Sequence, residues 1–189
     1  MGFTKYLNNV MSQRRIDEGR SHFSANRNLL IQTQAAYGVP AEVVVALWGI
    51  ETSYGANTGG FDLIEALATL AWEGRRHEFF KAESMGALRI LDGGHIRRSE
   101  FKGSWAGAMG QNQFMPSSWH KFAVDGNGDG HKDIWNTKSD IFASSSNYLA
   151  QSGWDKNLPW GWPVVVTDKS LQNGFRATMA GWLKAGIRF

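Results

Sequence analysis

The run Val43-Val44-Val45-Ala46-Leu47-Trp48-Gly49-Ile50 is the most apolar stretch of the chain, and it ends at a carboxylate, Glu51. Pro40 suits the first turn of a helix, where its missing N–H is not needed. Gly55 suits the residue just past a helix end. Residues 40–54 therefore read as one short helix, apolar on nearly all sides and so buried. Glu51 falls in its last turn, at the negative end of the helix dipole. Apolar neighbours also disfavour the charged form of a carboxylate. Both effects are expected to keep a proton on Glu51, as a general acid requires. The plainer reading is a solvated or cation-paired glutamate near a helix end.

With 189 residues the chain is long enough for one domain with its own core, or a domain plus a small subdomain. Hydrophobic residues make up 42%, which places it with globular rather than disordered chains. Lys and Arg number 20 against 17 Asp and Glu, a net charge of +3 without any basic run. That excess suits an acidic polymer such as cell wall, and the lack of a basic cluster argues against nucleic-acid binding. There is no cysteine, which excludes disulfides, thiol nucleophiles and thiolate metal sites. No apolar stretch approaches the ~18–20 residues of a membrane span, and the start Met1-Gly2-Phe3-Thr4-Lys5 leads into no apolar signal-peptide core.

Helical spacing of apolar residues predicts helices over 4–18 and 20–37, then 40–54. The Gly-rich stretch 56–61 leads into an apolar helix at 62–70. A longer helix is predicted over 75–92, starting at Arg75-Arg76 and closed by Gly93-Gly94. Residues 95–113 read as irregular with a short helical turn inside 105–110. Pro116 opens a helix through Phe122, and further helices are expected at 139–152 and about 170–186. Between these last two, 154–168 reads as loop, and Val164-Val165-Val166 is the one strong strand signal. The sum is one mostly helical domain.

The loop Asp125-Gly126-Asn127-Gly128-Asp129-Gly130-His131 matches the front of an EF-hand calcium loop. Oxygen side chains stand at positions 1, 3 and 5, Gly130 allows the sharp turn, and the His131 carbonyl would serve position 7. Position 12 is Asn136, whose amide cannot act as the usual bidentate carboxylate; Asp140 can, if the loop is longer than usual. The alternative is a solvated turn. Ser104, Gln111 and Gln113 offer hydroxyl and amide groups to sugar hydroxyls, or else stabilise their own loop. Arg75 and Arg76 either engage a carbohydrate ligand or form a solvated helix start. Trp105, Trp135, Trp154, Trp160 and Trp162 lie in loops, where an aromatic face either stacks on a sugar or pins the loop to the core. The five histidines lack zinc-ligand spacing, and there is no nucleophile elbow or phosphate loop.

Together these pieces resemble the lytic murein transglycosylase B family, glycoside hydrolase family 103. The resemblance is carried by Tyr37-Gly38-Val39-Pro40, Trp48-Gly49-Ile50-Glu51-Thr52, Leu67-Ala68-Thr69-Leu70, Arg75-Arg76, the stretch from Lys102 to Gln111, Gln113-Phe114-Met115-Pro116-Ser117-Ser118, the Asp-rich loop and Asn147-Tyr148, in family order. It implies a mainly α, lysozyme-like catalytic domain over 1–189 with an EF-hand-like metal loop. Members of that family usually carry a C-terminal segment with an Asn-Phe-x-x-Ile-Thr-x-Tyr-Asn pattern, and residues 1–189 do not contain that pattern. Glu51 falls on the family's catalytic glutamate. Ser104, Gln113, Arg75, Arg76 and Tyr148, with Tyr6, fall on cleft positions that bind substrate. Asp125, Asn127, Asp129, the His131 carbonyl and Asp140 fall on a structural Ca2+ site.

The implied reaction cleaves the β-1,4 bond between N-acetylmuramic acid and N-acetylglucosamine, leaving a 1,6-anhydro end. The implied partners are peptidoglycan glycan strands and other cell-wall enzymes, for a monomer of the periplasm or cell envelope. Two rivals stand beside this reading: a hydrolytic muramidase using Asp62 or Glu65 as second carboxylate, and a wall-binding module without activity.

Overall fold

Ser12 and Asn26 cut the first 37 residues into three helices where periodicity predicts two. In the computed structural model, which describes residues 2–166 and 176–188, these are α1 (Phe3–Val10), α2 (Gln13–Ala25) and α3 (Arg27–Tyr37). The Ser12 hydroxyl accepts the Arg15 N–H and caps α2. Asn26 donates its side-chain amide to the His22 carbonyl at 2.8 Å and ends α2, while its own carbonyl starts α3. Short polar side chains compete with the helix ladder in this way, and an apolar pattern running across them hides the breaks.

Gly38, at φ 71°, closes α3, and Pro40 precedes α4 (Ala41–Thr52). Then follow β1 (Phe61–Asp62), α5 (Leu63–Glu73), α6 (His77–Asp92), β2 (Lys102–Gly103), α7 (Pro116–Phe122), α8 (Lys138–Gln151) and α9 (Met179–Lys184). β1 and β2 pair antiparallel, Phe61 opposite Gly103. The junction is locked by Asp62, which caps α5 through the Glu65 N–H and is gripped on both oxygens by the Arg98 guanidinium. That guanidinium holds the Asp62 carboxyl below the usual carboxylate range.

The short helical turn expected inside 105–110 is absent. Trp105 and Ala106 form a simple turn, and the chain continues as a ribbon bridged at Gly103–Met109 and Met109–Phe114. Of the helix expected at 170–186, Met179–Lys184 is helical, and 167–175 lies outside the described residues. The strand signal at 164–166 becomes one bridge, Val165 with Arg188.

The chain divides into two compact units, Met1–Trp154 and Asp155–Phe189. In the first, one apolar cluster is built from Leu63, Leu67, Ile90, Phe101, Met109 and Trp119, and another from Leu30, Val39, Val44, Trp48, Ile141 and Phe142. In the second, α9 is capped by the Thr178 hydroxyl. Among the described residues no single helix is long and apolar enough to cross a membrane, although α3 and α4, bent by 111°, pass together on length and composition. Burial of Leu30, Val44 and Trp48 accounts for that apolarity as core packing.

α4 is not buried all round. Ala41, Val44, Val45, Trp48, Gly49 and Thr52 pack inward, while Ala46, Ile50 and Glu51 are exposed. The exposed side borders an open apolar groove of about 490 Å³ shared with α2. Tyr54 ties the two helices at one end: its hydroxyl donates to the Arg15 carbonyl at 2.8 Å, and its ring lies where Gly19 and Gly49 leave room.

α7 is held by a carboxylate from elsewhere in the chain. Glu83 on α6 is 3% exposed and accepts both the Ser117 N–H (2.9 Å) and the Ser117 hydroxyl (2.6 Å). Hydrogen bonds to a charged group contribute about 1.5–3 kcal/mol. Glu83→Ala should therefore lower unfolding stability by about that amount in a denaturant titration. An unchanged midpoint would mean that α7 is held by its apolar contacts alone.

Candidate active site

Glu51 is the next-to-last residue of α4, and the chain turns sharply after it. Ser53 (φ 50°) and Tyr54 (φ 61°) both take the left-handed conformation, with Gly55 following at φ 87°. The helix thus ends at Thr52, two residues short of the end expected at 54. A third left-handed non-glycine residue, Gln113 (φ 50°), lines a cavity that Glu51 also lines. These are the three such residues among the described ones, and each costs about 1–3 kcal/mol of local strain.

The cavity has a volume of about 210 Å³. Polar groups of Glu51, Gln111, Asn112, Gln113, Ser118, Ser145 and Tyr148 line it, against apolar walls of Leu47, Trp48, Phe114 and Met115. α4 supplies Glu51, the ribbon supplies Gln113, and α8 supplies Tyr148, whose ring lies against Phe114 and Phe122. Gln113 donates its amide to the carbonyls of Gly110 (3.0 Å) and Thr58 (3.2 Å), which sets its side chain against two loops.

Among the described residues Glu51 is the sole carboxylate lining this cavity. It is exposed, so the expectation that apolar neighbours bury it is not met: Val44, Val45 and Trp48 pack inward, while Ile50 beside it is itself exposed. Asp62 is committed to Arg98 and to capping α5, and neither it nor Glu65 reaches the cavity.

The remaining sequence candidates lie elsewhere. Ser104 does not line the cavity; its hydroxyl accepts from the N–H groups of Ala108 (3.0 Å) and Ala106 (3.3 Å) and braces the turn between them. Arg75 and Arg76 are exposed beside the start of α6, Arg76 lying over the Phe79 ring at 4.1 Å. Tyr6, on α1, is also exposed and outside the cavity. Of the loop tryptophans, Trp135 is a core pin, while Trp105 and Trp160 are exposed.

Asn112, Ser118 and Ser145 were not anticipated. Asn112 is buried and donates to the Ile141 carbonyl and to Ser145 Oγ, both at 2.7 Å, while its Oδ1 has no protein partner. Ser145 and Tyr148 stand three apart on α8, so helical spacing is the signal that would have linked them.

At the Asp-rich loop, Asp125 accepts the N–H groups of Gly130, Gly128 and Asp129, which lower its pKa. Asp129 accepts from His131 N–H and from the Asn127 amide. Asp140 is fully buried at the base of the loop, one oxygen taking the Gly126 N–H (2.9 Å) and the other the Asp133 N–H (2.7 Å). Burial pushes its pKa up. No Asp of this loop is in an ion pair among the described residues, nor do three metal-binding side chains converge there. The side-chain oxygens of Asp125, Asp129 and Asp140 are of the kind a hard divalent ion takes, and here they accept backbone N–H groups.

The chain is 35% identical over 173 residues to membrane-bound lytic murein transglycosylase B of Escherichia coli K12, matching 91% of this chain and 48% of that protein. It therefore spans about half the length of the curated relative. The structure superposes on SltB3 of Pseudomonas aeruginosa in complex with NAG-NAM-pentapeptide with a TM-score of 0.92, at 41% identity over 97% of this chain and 50% of that one. It superposes on the E. coli lytic transglycosylase Slt35 in complex with calcium with a TM-score of 0.89, at 32% identity over 98% and 60%. The mainly α, lysozyme-like fold expected from the motifs is thus the fold found. All 189 residues, 1–189, match the family described as the transglycosylase SLT domain, and the chain belongs to that family.

Proposed function

We propose that this chain is a peptidoglycan lytic transglycosylase, cleaving the β-1,4 bond between N-acetylmuramic acid and N-acetylglucosamine with formation of a 1,6-anhydromuramic end. The observation that carries this reading is Glu51, among the described residues the lone carboxylate, and one without a partner, at a cavity lined by amides and hydroxyls. Ordinary glycosidases need two carboxylates, one for the leaving group and one for the nucleophile or its activation. With one, the same group has to act twice. Glu51 protonates the glycosidic oxygen as it leaves, and the substrate's acetamido oxygen stabilises the positive charge at C1. The ionised Glu51 then takes the proton of the muramic C6 hydroxyl as that oxygen closes on C1. No water is consumed, and Glu51 ends protonated as it began. Such proton transfers contribute about 10²- to 10⁴-fold in rate.

A bound sugar would also exclude water from the exposed glutamate, which the free chain does not do by itself. The ligands of SltB3, NAG-NAM-pentapeptide and NAG-anhNAM-pentapeptide, are of the substrate and product types this reaction requires. Hydrolysis by a second carboxylate finds less support, since Asp62 is held by Arg98.

In the same reading Gln113 and Tyr148 bind substrate at the cavity. Ser104, Arg75, Arg76 and Tyr6 bind it farther along a glycan strand, in a monomer of the periplasm or cell envelope. Calcium is held by Asp125, Asn127, Asp129, the His131 carbonyl and Asp140. It is structural, joining the loop after α7 to the start of α8.

Glu51→Gln keeps the shape and removes the transferable proton. Release of soluble fragments from purified peptidoglycan should fall by more than about a hundredfold, over 2.7 kcal/mol of barrier, with little change in melting temperature. Cleavage within about tenfold of the parent would remove Glu51 from the role. Mass spectrometry of the parent's products should show ends one water lighter than reducing ends; hydrolytic ends would establish the muramidase instead.

Ser104→Ala and Gln113→Ala should weaken cleavage while the protein stays folded. A sharp drop in melting temperature with normal activity per folded molecule would make both residues structural.

Calcium should raise the melting temperature, with about 2.7 kcal/mol of stabilisation at a hundredfold excess over its dissociation constant. Asp129→Ala or Asp140→Ala should abolish the rise, and Glu51→Gln should not. The pH dependence follows from Asp140, whose raised pKa favours the protonated form in the calcium-free protein. That contribution to stability is present at low pH and is lost as pH rises through the folded-state pKa. Protons and calcium compete for this carboxylate. The calcium shift should therefore fade on acidification above the range where an exposed carboxylate is protonated. A shift that persists unchanged through that range excludes Asp140.

A further inference from the structure

Among the described residues Glu51 has no hydrogen-bond partner, so its position depends on the last turn of α4. The residues on either side of it in that turn are both bonded to one residue, Gln111. The Trp48 indole N–H donates to Gln111 Oε1 at 2.8 Å, and the Thr52 hydroxyl donates to the Gln111 backbone carbonyl at 3.2 Å. The remaining polar groups of Gln111 are also used: its Nε2 donates to the Trp135 carbonyl at 2.6 Å and its backbone N–H to the Ile134 carbonyl at 2.8 Å. Donors on one side of the amide and an acceptor on the other permit a single orientation of the side chain. Gly55 completes the fit, since a Cβ there would strike the Gln111 amide.

Behind this amide stands a cation. Lys138 Nζ lies over the Trp48 ring, 4.0 Å from its centroid, and 3.4 Å from Gln111 Oε1. The second distance is at the outer limit of a hydrogen bond, so the indole face is the closer partner. Lys138 is half-buried and is the first residue of α8, where the positive end of the helix dipole opposes a cation. Burial lowers its pKa as well. Both effects disfavour a charge here, and the Trp48 face and the Gln111 oxygen offset them.

We propose that Gln111 and Lys138 are positioning residues for Glu51, acting through Trp48 and Thr52 to hold the carboxylate at the working distance from the scissile bond. The proposal rests on the reading of Glu51 as the acid and base. Neither residue touches the reacting atoms in this role. Gln111 sets the rotation of the Trp48 ring and the end of α4, and Lys138 locks Gln111 and Trp48 together. Glu51 has to meet two oxygens in turn, the leaving glycosidic oxygen and the C6 hydroxyl, so a loosened turn costs both proton transfers. Displacement by about 1 Å is enough to lose up to about a hundredfold in rate.

The test compares Lys138→Met, Lys138→Arg, Gln111→Met and Glu51→Gln on purified peptidoglycan, at a temperature well below every melting point. Lys138→Met keeps the apolar stem on Trp48 and removes the charge; Lys138→Arg restores a cation over the ring. The expected result is a fall in kcat of about ten- to a hundredfold for Lys138→Met and Gln111→Met, with apparent KM within about twofold. The Trp48 indole N–H resonance, identified by its loss in Trp48→Phe, should move in both variants. Lys138→Arg should restore most of kcat and the resonance. A Lys138→Met protein with unchanged kcat, beside an inactive Glu51→Gln, overturns the positioning role alone. A loss of kcat that Lys138→Arg does not restore, with the resonance unmoved, overturns it too. An active Glu51→Gln overturns the reading of Glu51 and the positioning role with it.

Discussion

Residues 101–114 are largely buried yet contain no helix, so their polar groups have to be paired one by one. Phe101 O takes the Leu63 N–H, Ser104 and Ala108 bond each other, Met109 and Phe114 exchange both bonds, and Gln111 reaches Ile134. The side chains of Ser104, Gln111, Asn112 and Gln113 add further bonds. This irregular segment lies between the end of α4 on one side and the start of α8 on the other. Most of what positions the cavity passes through it. Each bond contributes about 1 kcal/mol net, but a buried group left unpaired costs more, which is why the segment holds one conformation.

Placing Glu51 at the end of a core helix serves two opposed needs. Val44, Val45 and Trp48 anchor α4 in the apolar cluster, so the helix is rigid where the carboxylate leaves it. The left-handed turn at Ser53 and Tyr54 then takes the chain away at once and leaves the carboxylate open to a ligand. A fully buried glutamate would be shielded from a polymer as well as from water. Tyr54, wedged between Gly19 and Gly49 and bonded to Arg15, is the brace that makes this turn tolerable.

α8 links three features. Its first turn carries Lys138 against Trp48 and Asp140 against the Asp-rich loop, and its last turns carry Ser145 and Tyr148 to the cavity. A change at the loop is therefore one helix away from the site. Asp140 supplies the connection, because a fully buried carboxylate taking N–H groups from both Gly126 and Asp133 holds the loop ends to that helix.

Helix type and order were legible in the chain where apolar periodicity agreed with a proline start, as for α4 and α7, or with a glycine end, as for α4 and α6. Breaks made by single polar side chains, at Ser12 and Asn26, were not, because their effect is a local hydrogen bond and not a pattern. The candidate acid, the amide at Gln113 and the tyrosine at 148 were legible as residues of particular types in recognisable motifs. What the tertiary structure alone decided is which of them meet. It brings Glu51, Gln113 and Tyr148 to one cavity, leaves Ser104, Arg75, Arg76 and Tyr6 outside it, and ties Asp62 to Arg98. It also sets Lys138 beneath Trp48, a contact between residues 90 positions apart. Propensities and caps act over one or two turns of chain. Exposure, ion pairing and cavity walls are set by long-range packing, which no local signal carries.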